Sequence, residues 1–181
     1  MGTLRITGGI LKGRIIQVSA GILEIRPPMD RMRESIFSIL NDISGMSVLD
    51  IFAGSGIFSF EALSRGASSA LCIEKDKTKI ASLKKNAMLL GVSLQCKALP
   101  AELFIKRSKE SFDLVFCDPP FPYKYKPELL NEISSSNVIA PNGKLVFHYP
   151  QEDVLPESLS GLVLETTRKY GRSCINIYQK C

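Results

Sequence analysis

A chain of 181 residues is long enough to bury a full core as one domain without disulfide or metal staples. Lys and Arg number 23 against 18 Asp and Glu, so the net charge of +5 permits a polyanionic partner without requiring one. The five cysteines include no C-x-x-C pair and the only histidine is His148, which argues against a disulfide framework or zinc site and for a reducing compartment. With no apolar run long enough to span a bilayer and no leader or lipidation pattern, a cytoplasmic, metal-free monomer without a membrane partner is expected.

In chain order, residues 1–25 read as a small β-hairpin extension in which strands 4–7 and 14–18 flank Gly8-Gly9 and Lys12-Gly13. Arg5, Lys12 and Arg14 on such a projecting element suit phosphate contacts, and solvated surface charge is the alternative. Pro27 and Pro28 forbid helix before Met29, and Asp30 is placed to cap the helix that follows. Met32, Ile36, Ile39, Leu40 and Ile43 recur at helical spacing and face a core, leaving Arg31, Arg33 and Glu34 on the surface. Arg26, Arg31 and Arg33 then gather at one helix start, a candidate site for a phosphate or an RNA backbone.

The centre of the chain is Val48-Leu49-Asp50-Ile51-Phe52-Ala53-Gly54-Ser55-Gly56, a buried strand ending in an acid and opening through a glycine turn into a helix at 57–63. Glycines here let the chain turn tightly and let a ligand lie on bare main chain. A carboxylate at this point repels a pyrophosphate but welcomes a cation, so the turn suits S-adenosylmethionine better than a dinucleotide. A turn that binds nothing is the alternative. Residues 70–74 form a second strand ending in Glu74, at the spacing of a ribose-hydroxyl acceptor. A helix over 77–90 stops at Gly91, a third strand is expected at 92–96, and a short helix at 101–106.

The fourth strand, 112–117, is a near-continuous apolar run that leads into Asp118-Pro119-Pro120-Phe121. Two prolines fix this backbone and remove N–H donors, leaving acceptors. Asp118 and the Pro119 carbonyl can take the two hydrogens of an exocyclic amine and aim its lone pair at a methyl donor, with Phe121 as a stacking face. Tyr123-Lys124-Tyr125-Lys126 interleaves aromatics with cations, a pattern that suits nucleic acid and also a solvated loop. A helix starts at Pro127, Pro141-Asn142-Gly143 turns into a fifth strand at 144–149, and strands 162–167 and 174–178 close the chain as an antiparallel pair. His148 has no evident partner in the sequence and reads as structural.

Taken together, these features resemble the class I S-adenosylmethionine-dependent methyltransferases. The chain resembles more narrowly the RsmD-type enzymes that methylate N2 of a guanine in 16S ribosomal RNA. The narrower likeness rests on Arg5-Ile6-Thr7-Gly8-Gly9, Lys12-Gly13-Arg14, Arg26-Pro27, Asp30 to Glu34, Phe52 to Gly56, Glu61 to Ala67 and Asp118 to Phe121. It implies an α/β Rossmann-like fold, a mostly parallel seven-stranded sheet ending in an antiparallel hairpin. It also implies that Asp50, Ala53, Gly54, Ser55, Gly56 and Glu74 hold the cofactor, with Ala101 near the adenine. Asp118, Pro119, Pro120 and Phe121 would hold the guanine, and Arg5, Lys12, Arg14, Arg26, Arg31, Arg33, Tyr123 and Lys124 the 16S rRNA or assembling small subunit. Pro28 and Pro100 depart from the family pattern, which often has Thr and Asp or Asn there. The rivals are the same chemistry on another amine, such as adenine N6, and a non-catalytic rRNA-binding assembly factor; the intact cofactor turn weighs against the latter.

Overall fold

The computed structural model describes residues 2–18, 28–156 and 159–181. An antiparallel pair, β1 (Gly2–Arg5) and β2 (Ile15–Val18), precedes α1 (Pro28–Leu40). Strands and helices then alternate: β3 (Ser47–Ile51), α2 (Ile57–Ser64), β4 (Ser69–Ile73), α3 (Lys77–Leu90), β5 (Gln95–Lys97), α4 (Ala101–Arg107), β6 (Phe112–Cys117) and α5 (Lys126–Ser135). The chain ends in three consecutive strands, β7 (Ile139–Pro150), β8 (Leu162–Tyr170) and β9 (Ser173–Lys180). The main sheet has the order β5-β4-β3-β6-β7-β9-β8, parallel up to β7 and antiparallel at β9 and β8. The order reverses between β3 and β6, the place where open α/β sheets leave a crevice at their carboxyl ends.

Strand periodicity divides the core into two layers. Leu49, Ile51, Ile73, Val115 and Phe147 face α4 and α5, packing on Phe104, Ile105, Leu130 and Ile133. Val48, Cys72, Leu114, Phe116 and Val146 face α1, α2 and α3, packing on Ile36, Phe37, Phe58 and Leu83. Phe116 stacks on Phe58 with ring centroids 4.8 Å apart. The same alternation turns Asp50, between Leu49 and Ile51, into the interior beneath α2.

Several expectations shift. The N-terminal hairpin does not project, because Leu4, Ile6, Leu11, Ile16 and Val18 join the layer of α1 to α3. Its backbone is also tied down: Asn86 accepts from the Gln17 N–H at 3.0 Å and donates to its carbonyl at 2.8 Å. Its strands pair over Gly2–Arg5 and Ile15–Val18, so residues 6 and 7 fall in the turn. The first helix begins at Pro28, where a missing N–H costs nothing, so Asp30 lies in its first turn and not at its cap. The third parallel strand forms at Gln95–Lys97, later than expected. Residues 141–143 do not end a loop but sit inside β7, where Asn142 has φ 62° and the β6 to β7 register jumps from Phe112↔Ile139 to Leu114↔Lys144.

Arg33 is the largest departure. Its side chain is 0% exposed and lies within 3.4 Å of Glu61, itself fully buried. It also donates to Asp30 at 2.7 Å and to the Arg5 carbonyl at 2.9 Å. Glu61 further accepts from the Thr7 N–H at 2.6 Å and its hydroxyl at 2.8 Å, and pairs with Arg65 at 3.3 Å. Arg33 is therefore an internal tie among α1, α2 and the hairpin, because a buried carboxylate needs cations and donors around it. It is not a surface cation.

Candidate active site

A cleft of about 510 Å³ opens at the carboxyl ends of β3, β4 and β6. Asp50, Ala53, Gly54, Ser55, Glu74 and Ala101 line one part of it, and Asp118 through Phe121 with Tyr123 line another. The sequence's two strong signals, 68 residues apart by position number, thus form one wall system because β3 and β6 are hydrogen-bonded neighbours.

Asp50 is 1% exposed. Its Oδ2 accepts from the Ser59 N–H at 3.2 Å and from the Ser59 hydroxyl at 2.8 Å, both in the first turns of α2. Burial pushes the carboxyl up to about 8, the Ser59 bonds offset this in part, and the charges of Asp118 and Glu74 add to it. Glu74 is also buried, and its two oxygens accept from the backbone N–H groups of Gly54 and Asp76, each at 3.0 Å. Lys79 Nζ stands 3.8 Å from one of these oxygens, and a carboxylate has about four lone-pair sites, so acceptor capacity is left over.

The two glycines do different work. Gly54 has φ +54°, and a methyl there would approach only the Phe52 carbonyl, at 3.7 Å, so its bareness opens the cleft floor. Gly56 caps α2 at φ 73°, and a methyl there would stand 2.2 Å from Leu83 Cδ2. It packs α2 against α3 and does not belong to the cleft wall. Just before them, Phe52 adopts a left-handed φ of 61° and sets its ring edge-on to Tyr123 at 5.4 Å.

Asp118 stands just past β6 with its side chain 32% exposed. Its Oδ1 lies 2.6 Å from Nδ1 of His148, so the histidine read as structural has a partner after all. The sequence reading missed it because the two are 30 residues apart. The signal was register: Cys117 pairs with Phe147 across parallel strands, which sets the next residues, Asp118 and His148, side by side.

The loop after Asp118 is held from below. Lys126 is 1% exposed and donates to the carbonyls of Phe121 at 2.8 Å and Tyr123 at 2.6 Å while pairing with Asp153 at 2.7 Å. Grouped by the sequence with a basic, aromatic patch, Lys126 is instead the loop's internal tie. The Tyr123 hydroxyl donates to Glu102 at 2.6 Å, and burial with that neighbouring acid pushes its pKa up. Tyr125, Lys124, Arg5, Lys12, Arg14 and Arg31 are exposed, whereas Arg26 lies outside the described residues. Among the described residues no group of three or more His, Cys, Asp or Glu is placed to hold a metal, and no helix is long and apolar enough to cross a membrane.

Residues 4–179 match the model of the family described as Conserved hypothetical protein 95. The chain belongs to that family. The Haemophilus influenzae protein named Ribosomal RNA small subunit methyltransferase D is 34% identical over 92% of this chain and 90% of its own length. The Escherichia coli protein of the same name is 32% identical over 99% of this chain and 91% of its own. Among solved structures, the Escherichia coli protein yhhF, a provisionally assigned methyltransferase, superposes with a TM-score of 0.87 at 30% identity, covering 99% of this chain and 98% of that one. This Conserved hypothetical protein 95 member has the Rossmann-like class I fold expected from its motifs, and it is a methyltransferase.

Proposed function

We propose that the protein transfers a methyl group from S-adenosylmethionine to the N2 amine of a guanine in the 16S rRNA of the small ribosomal subunit. The observation that carries this reading is the convergence of the Asp50–Gly54–Glu74 wall and the Asp118–Phe121 wall on one cleft. Near-full-length similarity to relatives named for small-subunit rRNA methylation supports the substrate.

The residues present fit the cofactor. Bare main chain at Gly54 admits a ligand closely, and Glu74 keeps acceptor sites for ribose hydroxyls. Ile73, Leu99 and Ala101 offer apolar walls to a flat base. Asp50 places a buried carboxylate where a cation is favoured. When bound, S-adenosylmethionine supplies an electrophilic methyl group on a sulfonium.

The chain's own part is to bind and orient. Asp118 and the Pro119 carbonyl accept the two hydrogens of the guanine amine, which turns its lone pair toward the donor side of the cleft. Prolines at 119 and 120 contribute no N–H that would compete for those acceptors. Transfer would break the donor's sulfonium–carbon bond as the nitrogen–carbon bond forms, and the Asp118 carboxylate would stabilise the positive charge left on the nitrogen and take the released proton. Phe121 supplies a stacking face for a base drawn out of its helix, a step costing roughly a few kcal/mol. Exposed Arg5, Lys12, Arg14, Arg31 and Lys124 are available to the RNA backbone, which they would position without reading its sequence.

The test is methyl transfer from labelled cofactor to naked 16S rRNA and to partly assembled small subunits, both lacking the modification, followed by nucleoside analysis. N2-methylguanosine at one site is expected. Label in N6-methyladenosine would keep the clamp and replace the substrate, and cofactor binding without any transfer would refute the reading.

A further inference from the structure

We propose that His148 is a positioning residue for the amine clamp: its Nδ1–H holds Oδ1 of Asp118, so that Oδ2 alone, with the Pro119 carbonyl, meets the substrate amine. The inference rests on the methyltransferase reading of that clamp and adds a residue that no motif supplies.

Adjacent parallel strands set the pair in register, with Cys117 beside Phe147 and the two side chains next along. The bond is short, at 2.6 Å, and spans from interior to cleft: the His148 side chain is 6% exposed and that of Asp118 32%. A carboxylate has acceptors only, so the proton in this bond belongs to Nδ1. The other ring nitrogen, Nε2, is buried and has no hydrogen-bond partner among the described residues. An N–H left there would be an orphan donor, the rarer and costlier case, so the same tautomer follows from both ends of the ring. Because Nδ1 is turned to Asp118 and Nε2 is shut away from the cleft, the imidazole does not itself face the amine.

The ring is fixed on another side by Phe121, edge-on at 5.3 Å. Among the described residues, His148 is the only side chain that bonds the Asp118 carboxylate. Without it the carboxylate is free to rotate and exchange its oxygens. With it, one oxygen is committed before the substrate arrives, and the clamp offers two acceptors to an amine's two hydrogens. Orienting an acceptor in advance removes an ordering cost from the reactive complex.

Two measurements test this. Because His148 is the only histidine, long-range proton–nitrogen correlation spectra of the free protein contain one imidazole. Protonation at Nδ1 is expected in the wild type, and loss of that preference in Asp118→Ala; an Nε2–H imidazole in the wild type overturns the proposal whether or not methyl transfer is observed. The second measurement compares His148→Phe, which keeps a ring against Phe121 but no donor, with His148→Asn, whose amide nitrogen is bonded to Cγ as Nδ1 is. The Phe variant should lose on the order of 100-fold in kcat with unchanged cofactor affinity, and the Asn variant should recover most of it. A purely structural role predicts the opposite order, because Phe fills the space better. Equal kcat in the wild type and the Phe variant, or equal loss in both variants, overturns the proposal. A wild type that binds cofactor and modifies no RNA would refute the function instead and leave the spectroscopic result standing.

Discussion

Replacing Asp50 by Asn should stabilise the free protein at neutral and alkaline pH while weakening the cofactor site. Burial raises this carboxyl from 3.8 to about 8, so the folded chain keeps a proton that the unfolded chain releases. Below the unfolded value both states are protonated and Asp50 costs nothing. As pH rises from about 4 to about 8, stability falls by roughly 1.4 kcal/mol per pH unit from this group alone, and above that range the loss levels off. The full loss is on the order of 5 kcal/mol, a large share of a domain's stability. Urea unfolding of both proteins from pH 5 to pH 9 reads the difference directly, with the Asn variant showing the flatter profile. A ligand with a sulfonium and an ammonium favours the ionised form, so cofactor binding should release a proton. From Asp50 alone, wild-type affinity should increase about 50-fold between pH 6 and pH 8; above about pH 8 the ligand's own ammonium loses its charge and offsets further gain, whereas the Asn variant binds weakly at every pH. Parallel stability profiles for the two proteins, or wild-type affinity independent of pH, would refute the reasoning.

Removing the central anion of the α1–α2–hairpin tie, Glu61→Ala, leaves buried Arg33 with Asp30 as its remaining carboxylate and takes the ion-pair partner from half-buried Arg65, and should cost roughly 3 kcal/mol in urea unfolding. Lys126→Met keeps the length of the buried stem but releases the carbonyls of Phe121 and Tyr123. It should lower kcat while calorimetric cofactor affinity stays near wild type. Asp118→Ala should abolish transfer with cofactor binding preserved. Charge reversal of exposed Lys12 and Arg14 should weaken rRNA binding and reduce the slope of log affinity against log salt by roughly 1.5, with no change in cofactor affinity.

What could be read in the sequence depended on whether a signal was local. The glycine turn with Asp50, and Asp118 after an apolar run, are contiguous patterns that specify strand, turn and helix, so the sheet and both walls of the cleft followed from them. Gly54 and Gly56 look alike in sequence, yet only the neighbours distinguish them: open cleft for one, Leu83 for the other. Charged residues were the hardest. Arg33 and Lys126 fall beside other cations and so resemble a basic surface, but each has a buried or partly buried carboxylate partner from elsewhere in the chain. Glu61 is 28 residues from Arg33, and Asp153 lies past the rest of α5 and the whole of β7 from Lys126. No periodicity within a helix reports on such partners. His148 was hidden in the same way, although once β6 and β7 are aligned its place beside Asp118 is forced.

The three carboxylates of the cleft show why the site and its ligand are one problem. Asp50, Glu74 and Asp118 sit at the ends of β3, β4 and β6, three neighbouring strands, and converge because the parallel sheet aligns those ends. Each is held by different means: Ser59 for Asp50, two backbone N–H groups and the Lys79 ammonium for Glu74, and His148 for Asp118. Those bonds orient the groups but do not remove their mutual repulsion, which is part of what raises Asp50. A cation entering the cleft relieves that repulsion and ionises Asp50 at the same moment. The strain built into the free site thus becomes selectivity for a positively charged ligand, and a phosphate-bearing dinucleotide of the same shape would meet it as a penalty.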